Sequence, residues 1–382
     1  MADVNGWSGR GLHSTVTEDG RVVLDLRPQQ ITAPKAHEVV VRVEASPINP
    51  SDLGLLLGGA KADTATRTTS DDGSPAASLT LTPGALAASA ARVGQAMAVG
   101  NEGAGVVIAT GDSESARALE GRTVAVLAGG MYATHRKVAA DQCLVMAKGT
   151  DPADAASSFV NPLTALGMTE TMRREGHQAL IHTAAGSNLG QMLNRICLAD
   201  GINLVNIVRR PEHVELLRQQ GANHVVNSSA PTFSDDLTAA LTETGATIAF
   251  DAIGGGELTS AILTSMEAAA NARAGDGEFN RYGSTTHKQV YIYGGLDRGP
   301  TVLNRAFGMA WSVGGWLLPP FLAEIGPERA GELRQRVADE LTTTFASHYS
   351  TVLSLDDILD LDRMQAYTAM ATGEKALVAP QR

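Results

Sequence analysis

Residues 178–213 read QALIHTAAGSNLGQMLNRICLADGINLVNIVRRPEH. A short apolar run, QALIHTAA, passes through small residues into GSNLGQMLNRICLADG, where Leu189, Leu193, Ile196 and Cys197 recur at helical spacing. INLVNIVR is a second apolar strand. PEHVELLRQQG is a second helix, opened by proline and closed by Gly221 as its C-cap. Strand, turn, helix and strand in that order make a βαβ unit, whose two strands must run parallel.

Toward the C-terminus the rhythm continues as ANHVVN, a helix through FSDDLTAALTETG, the strand ATIAFDAI, the helix GELTSAILTSMEAAANA and the strand QVYIYGG. Five strands alternating with helices predict a parallel sheet covered on both faces, which binds ligands at the carboxyl ends of its strands. Toward the N-terminus the texture differs. RVVLDL, HEVVVRVEAS, AGVVIAT, RTVAVLAGG and ATHRKVAA are short, β-branched and punctuated by Gly, Pro and Asp, which predicts a β-rich domain up to about residue 150. Residues 59–97 interrupt it with an Ala-, Thr-, Ser- and Gly-rich segment. Its first half is expected as an exposed loop, and Thr82-Pro83 as an N-cap with proline at the first helical position. The segment is expected as a surface insertion, with a flap over a cleft as the alternative.

The 382 residues carry Lys plus Arg 30 against Asp plus Glu 41, a formal net charge of −11. Such a surface repels phosphate backbones and anionic headgroups, so neither nucleic acid nor a membrane is expected as a partner. With 43% hydrophobic and 19% charged residues the chain can bury a large core. Cys143 and Cys197 are too few for a disulfide framework. The first residues show no basic flank leading to an apolar stretch, and no run is apolar enough to span a bilayer. The expectation is a soluble, cytoplasmic protein.

The turn after the first parallel strand is Thr183-Ala184-Ala185-Gly186-Ser187-Asn188-Leu189-Gly190. It keeps only part of the G-x-G-x-x-G pattern. Its small residues nevertheless let the backbone approach a pyrophosphate, the free N–H groups of the helix start face it, and Gly190 permits close packing of helix on strand. Ala185, Gly186, Ser187, Asn188, Leu189 and Gly190 are therefore candidate cofactor-binding residues. About 20 residues past such a turn, the tip of the second strand faces the adenosine ribose, and an acidic residue there selects NAD. Here that tip carries Arg209 and Arg210 and no carboxylate. Guanidinium groups suit a 2′-phosphate, so the expected cofactor is NADPH.

In order along the chain, VVVRVEASPINPSDL, GNEGAGVV, GRTVAVLAGGMYATHRKV, NPLTALGM, AAGSNLGQ, RQQGANHVVN, TIAFDAIGG, VYIYGGLD and the ending SLDDILDLDRMQAYTAMATGEKALVAP resemble the medium-chain dehydrogenase/reductases, in their zinc-independent quinone reductase and enoyl reductase branch. The resemblance implies an α/β fold in which a Rossmann doubly wound parallel sheet domain is inserted in a GroES-like β-rich domain. The expected boundaries are 1–155 for the GroES-like part, 156–325 for the Rossmann domain and 326–382 for the segment completing the first. It also implies a homodimer, with GGWLLPPFL as the apolar candidate surface, and adds Thr164, Asp251 and Gly294 to the cofactor-binding set.

The zinc-dependent branch has Cys-His-x-Asp and Gly-His-Glu stretches where this chain has Asn49-Pro50-Ser51-Asp52 and Gly100-Asn101-Glu102. Asparagine and proline do not replace thiolate and imidazole, so no metal is expected and Glu102 is read as a hydrogen-bonded structural carboxylate. Without a Lewis acid, a conjugated substrate is the accessible one: hydride adds to an activated double bond or quinone and charge delocalises onto the carbonyl oxygen. Asn49, Asn161 and Tyr132 are the candidate catalytic residues, the first two as hydrogen-bond donors and Tyr132 as a proton donor or stacking wall. Turn-holding for the asparagines and packing for Tyr132 are the alternatives. A tyrosine expected in enoyl-thioester reductases between residues 53 and 57 is missing. Other readings are a non-catalytic NADPH-binding protein and an alcohol dehydrogenase-like enzyme.

Overall fold

The computed structural model describes residues 6–70, 72–274, 280–369 and 373–382. The chain divides into two compact units, one made of Met1–Val160 and Arg334–Arg382, the other of Asn161–Leu333.

In the second unit six strands form one parallel sheet in the order His224–Asn227, Asn203–Val208, Ala179–His182, Ile248–Asp251, Lys288–Ile292 and Trp311–Gly315. Counted along the sequence this is 3-2-1-4-5-6, the doubly wound dinucleotide-binding order, whose reversal lies between Ala179–His182 and Ile248–Asp251. Ile181, Val205, Ala249 and Val290 pack one sheet face against the helices Phe233–Thr244 and Leu258–Ala274. His182, Phe250 and Tyr291 occupy adjacent register positions, and Phe250 stacks on Tyr291 and meets the edge of Trp316. The sixth strand, WSVGG, escapes a reading of the sequence because three glycines and serines leave no apolar run.

The first unit holds a five-stranded antiparallel sheet and a seven-stranded sheet. In the latter, Ala376–Val378 lies beside Glu38–Pro47, with Leu377 opposite Pro47, so the chain's last strand joins one of its first. Leu12, Leu24, Leu56, Leu79, Tyr132, Leu355 and Ile358 share one buried core, which brings the two sequence-distant parts together. Glu38–Pro47 ends close to Asn49, where the helix Pro50–Leu57 begins: Pro50 fits the first turn, and Asp52 accepts the Asn49 backbone N–H at 2.8 Å in a capping box.

The first half of residues 59–97 differs from the expected exposed loop. Pro75–Thr80 pairs with Arg21–Asp25 and Thr66–Thr69 pairs with Pro75–Ser78, making two strands of the five-stranded sheet. Ala77 and Leu79 are fully buried, and so small a side chain as alanine gives little periodic signal in sequence. Arg92 ties the segment inward, donating to Leu55 O at 2.9 Å and to Ser14 Oγ at 2.9 Å. The predicted cap is present: Thr82 Oγ1 accepts the Ala85 N–H.

Candidate active site

The turn Thr183–Gly190 links the strand Ala179–His182 to the helix Asn188–Asp200, at the carboxyl end of the sheet beside its reversal point. Ala184 takes a left-handed φ of 51°. Ala185 is anchored by its N–H to Ile207 O at 3.1 Å, and Ser187 caps the helix by accepting the Gly190 N–H at 3.1 Å. A Cβ on Gly190 would stand 2.2 Å from Ala185 O, so only glycine lets the helix start this close to the strand. Asn188 and Leu189 form the first helical turn. The result is a tight cradle of backbone, the shape a pyrophosphate requires.

Arg209 and Arg210 follow the second strand directly, both exposed, and neither is in an ion pair among the described residues. Val208 pairs with Asn227, so the next residue on the neighbouring chain segment is Ser228, whose N–H and hydroxyl donate to Val208 O. His213, on the first turn of Pro211–Gln219, lays its ring on Gly186: a Cβ there would meet His213 Cγ at 2.8 Å. Burial, opposed by Glu212 and joined by the charges of Arg210 and Arg209, holds this imidazole below its usual range. Neither Ser228 nor His213 carries a motif that sequence reading could have used.

Asp251 ends the fourth strand of this sheet. It is fully buried and accepts from Thr183 Oγ1 at 2.8 Å, Thr259 Oγ1 at 2.9 Å, Ile253 N at 2.9 Å and Gly254 N at 3.3 Å. Through Thr183 these bonds brace the turn from beneath. Gly294 lies just past the strand Lys288–Ile292, next to Tyr293, whose hydroxyl is 2.7 Å from His182 Nε2. Asn161 and Thr164 are both buried near the start of the helix Val160–Arg174.

In the first unit, polar groups gather where Glu38–Pro47 meets Pro50–Leu57. Glu102 is fully buried. Its Oε1 accepts Asn49 Nδ2 at 2.8 Å and its Oε2 accepts the backbone N–H of Phe159 at 2.8 Å and Val160 at 3.0 Å. This is the hydrogen-bonded carboxylate expected at that position. Burial raises its pKa, against Lys375 and these donors. Asp52 accepts from Asn49 N and from Asn101 N at 2.7 Å; burial pushes it up to about 7 against those two bonds. Asn49 Oδ1 has no partner among the described residues. With the amide and Glu102 bonded to each other, these positions do not make the thiolate and imidazole set of a zinc site.

Tyr132 belongs to the core of the same unit. It is wholly enclosed, its hydroxyl donating to Pro47 O at 3.1 Å, and burial holds the phenol well above its usual range. A phenol so placed packs the core and holds a strand end, the packing alternative for this residue.

The fold is that of solved structures described as NADPH:quinone reductases and enoyl reductases. No family profile matches it. It is similar to the mitochondrial enoyl-[acyl-carrier-protein] reductase of Xenopus tropicalis, 32% identical over 213 residues, covering 53% of this chain and 52% of that protein. It is 27% identical over 161 residues to the synaptic vesicle membrane protein VAT-1 homolog of Rattus norvegicus, covering 41% and 39%. The chain thus spans about half the length, or less, of the curated relatives it matches. Among solved structures, the Etr1p complex with NADP and crotonyl-CoA superposes with a TM-score of 0.66 at 18% identity, over 98% of this chain and 100% of that one.

Proposed function

We propose that this protein is an NADPH-dependent reductase that delivers hydride, without a metal, to the conjugated double bond of a small carbonyl compound or to a quinone. The observation that carries the reading is the pair of exposed arginines at the second strand tip, without ion-pair partners among the described residues, 19 residues after a strand-to-helix turn that Gly190 keeps tight. A phosphate monoester matches guanidinium by charge and by bidentate geometry. The names of the relatives, enoyl reductases above all, support the substrate class.

Ala185, Gly186, Ser187, Asn188, Leu189 and Gly190 would hold the pyrophosphate, Arg209 and Arg210 the 2′-phosphate, and Thr164 and Gly294 the nicotinamide half. Asn49 and Asn161 would orient the substrate carbonyl and the carboxamide. NADPH bound there supplies a hydride from its nicotinamide C4. The same reading takes the protein as a cytoplasmic homodimer paired along the exposed edge of Trp311–Gly315, with Met309 and Leu317 exposed on either side. Among the described residues no helix is long and apolar enough to cross a membrane.

Fluorescence titration with NADPH and NADH tests the cofactor. NADPH should bind tighter by about 100-fold, in line with roughly 1.5–3 kcal/mol for hydrogen bonds to charged groups, and R209Q/R210Q should erase the preference. Equal affinity of the wild type for both would overturn it.

A further inference from the structure

A phosphate monoester carries about −1.5 to −2 charges near neutrality and three acceptor oxygens. Arg209 and Arg210 answer it with charges that do not change in that range. A third basic side chain, His213, stands beside them and differs in that it can titrate there. Its helix Pro211–Gln219 begins directly after Arg210, and His213 N donates to Arg210 O at 3.1 Å, which fixes the first turn. The ring is partly exposed and rests on the glycine of the phosphate turn: a Cβ on Gly186 would meet His213 Cγ at 2.8 Å and Nδ1 at 2.9 Å. It thus touches the turn assigned to the pyrophosphate while sitting one helical turn from the arginines assigned to the ribose phosphate. Neither ring nitrogen has a hydrogen-bond partner among the described residues. The charged groups facing it are Glu212 on its own helix and Arg210 and Arg209 at the strand tip, and the turn Thr183–Gly190 laid against it holds no titratable side chain.

We propose that His213 is a third ligand of the 2′-phosphate and holds it as the imidazolium, so that binding of NADPH takes up a proton. The inference deepens the NADPH reading and rests on it. In the free protein burial holds the imidazole below its usual range, with Glu212 opposing and the charges of Arg210 and Arg209 acting in the same direction as burial. A phosphate beside the ring reverses that balance and favours the charged form. The bound pKa therefore lies above the free one. Affinity rises as pH falls through the bound value, and the gain is complete below the free value. Guanidinium stays charged throughout, so the arginines alone give no such dependence. The monoester's own second pKa is about 6, so a window of about pH 6.5 to 8 reads the imidazole.

Calorimetric titration of the full protein with NADPH at about pH 7, in two buffers of different ionisation enthalpy, should show net proton uptake. Release of protons, or no exchange, would overturn the proposal. NADPH affinity should rise about threefold or more from about pH 8 to 6.5, within the roughly tenfold per pH unit that one linked proton allows. NADH, which lacks the monoester, should change by less than about twofold over the same range. H213Q should lose both the slope and the proton uptake. H213K, charged throughout, should lose the slope yet bind NADPH at least as tightly as the wild type at about pH 8. If H213K binds as weakly as H213Q, the ring serves packing only and the proposal fails. If H213Q keeps the wild-type slope, the proposal fails alone and the preference for NADPH stands. If the wild type binds NADPH no tighter than NADH at any pH, the NADPH reading fails and the proposal with it.

Discussion

Gly190 and Gly186 sit in one turn, yet substitutions at them should behave differently. An alanine at 190 collides with backbone, 2.2 Å from Ala185 O, and backbone cannot swing away. G190A should lose about 1–3 kcal/mol, the range for overpacking, together with NADPH binding, read by urea denaturation and titration. An alanine at 186 meets a side chain, the His213 ring at 2.8 Å, which can turn aside. G186A should therefore be milder, and H213A should relieve it; equal losses in G186A and G186A/H213A would refute that account. Asp52 gives a pH dependence. Its folded pKa of about 7 exceeds the unfolded value, so the folded state holds the extra proton between about pH 4 and 7. Stability must fall as pH rises through that window, by about 1.4 kcal/mol for each pH unit crossed. The slope should be shallower in D52N, seen in urea midpoints from about pH 4 to 8. At this scale the sequence showed the arginines and the glycine turn, because local spacing carries them. It could not show that Asp251 and Tyr132 face inward or that the strand register sets Lys375 level with Asn49, because those facts depend on which strands pair.

Elements read most clearly where packing is two-sided. The alternating strands and helices from residue 179 to 292 follow the expected order, since buried parallel strands are continuous apolar runs. Trp7–Val16 and Trp311–Gly315 are not legible in this way, being strands whose sequences mix glycine and polar residues among the apolar ones. The helix Leu258–Ala274 holds a buried ion pair: Glu267 accepts Lys288 Nζ at 2.6 Å and also Ser284 N and Oγ, at 2.7 Å each. Burial works against the Glu267 charge, but Lys288 and Ser284 prevail and draw its pKa down to about 2. E267Q strands a buried ammonium and should cost about 3–5 kcal/mol, measurable as a lower midpoint of thermal unfolding. A loss below about 1 kcal/mol, the range of exposed pairs, would show that the pair is solvated. In the wild type the stabilisation is full above the unfolded pKa and disappears as pH falls from about 4.5 toward 2.

The two units of the molecule have different relations to the chain. Asn161–Leu333 is continuous and carries the whole parallel sheet. Expressed alone, it should fold and bind NADPH with no turnover; failure to bind would mean that the cradle needs the other unit. The first unit is discontinuous: the strand Glu38–Pro47 waits for Ala376–Val378, about 330 residues later. At roughly 5–20 residues per second, a ribosome takes about 15–65 s to cover that distance. Throughout that interval Pro47 and Ile48 lack their partner strand while the Rossmann sheet can already close, and a free strand edge is open to wrong pairing. Biosynthesis thus sets the order in which the halves mature, with the cluster around Asn49 and Lys375 among the last parts to form.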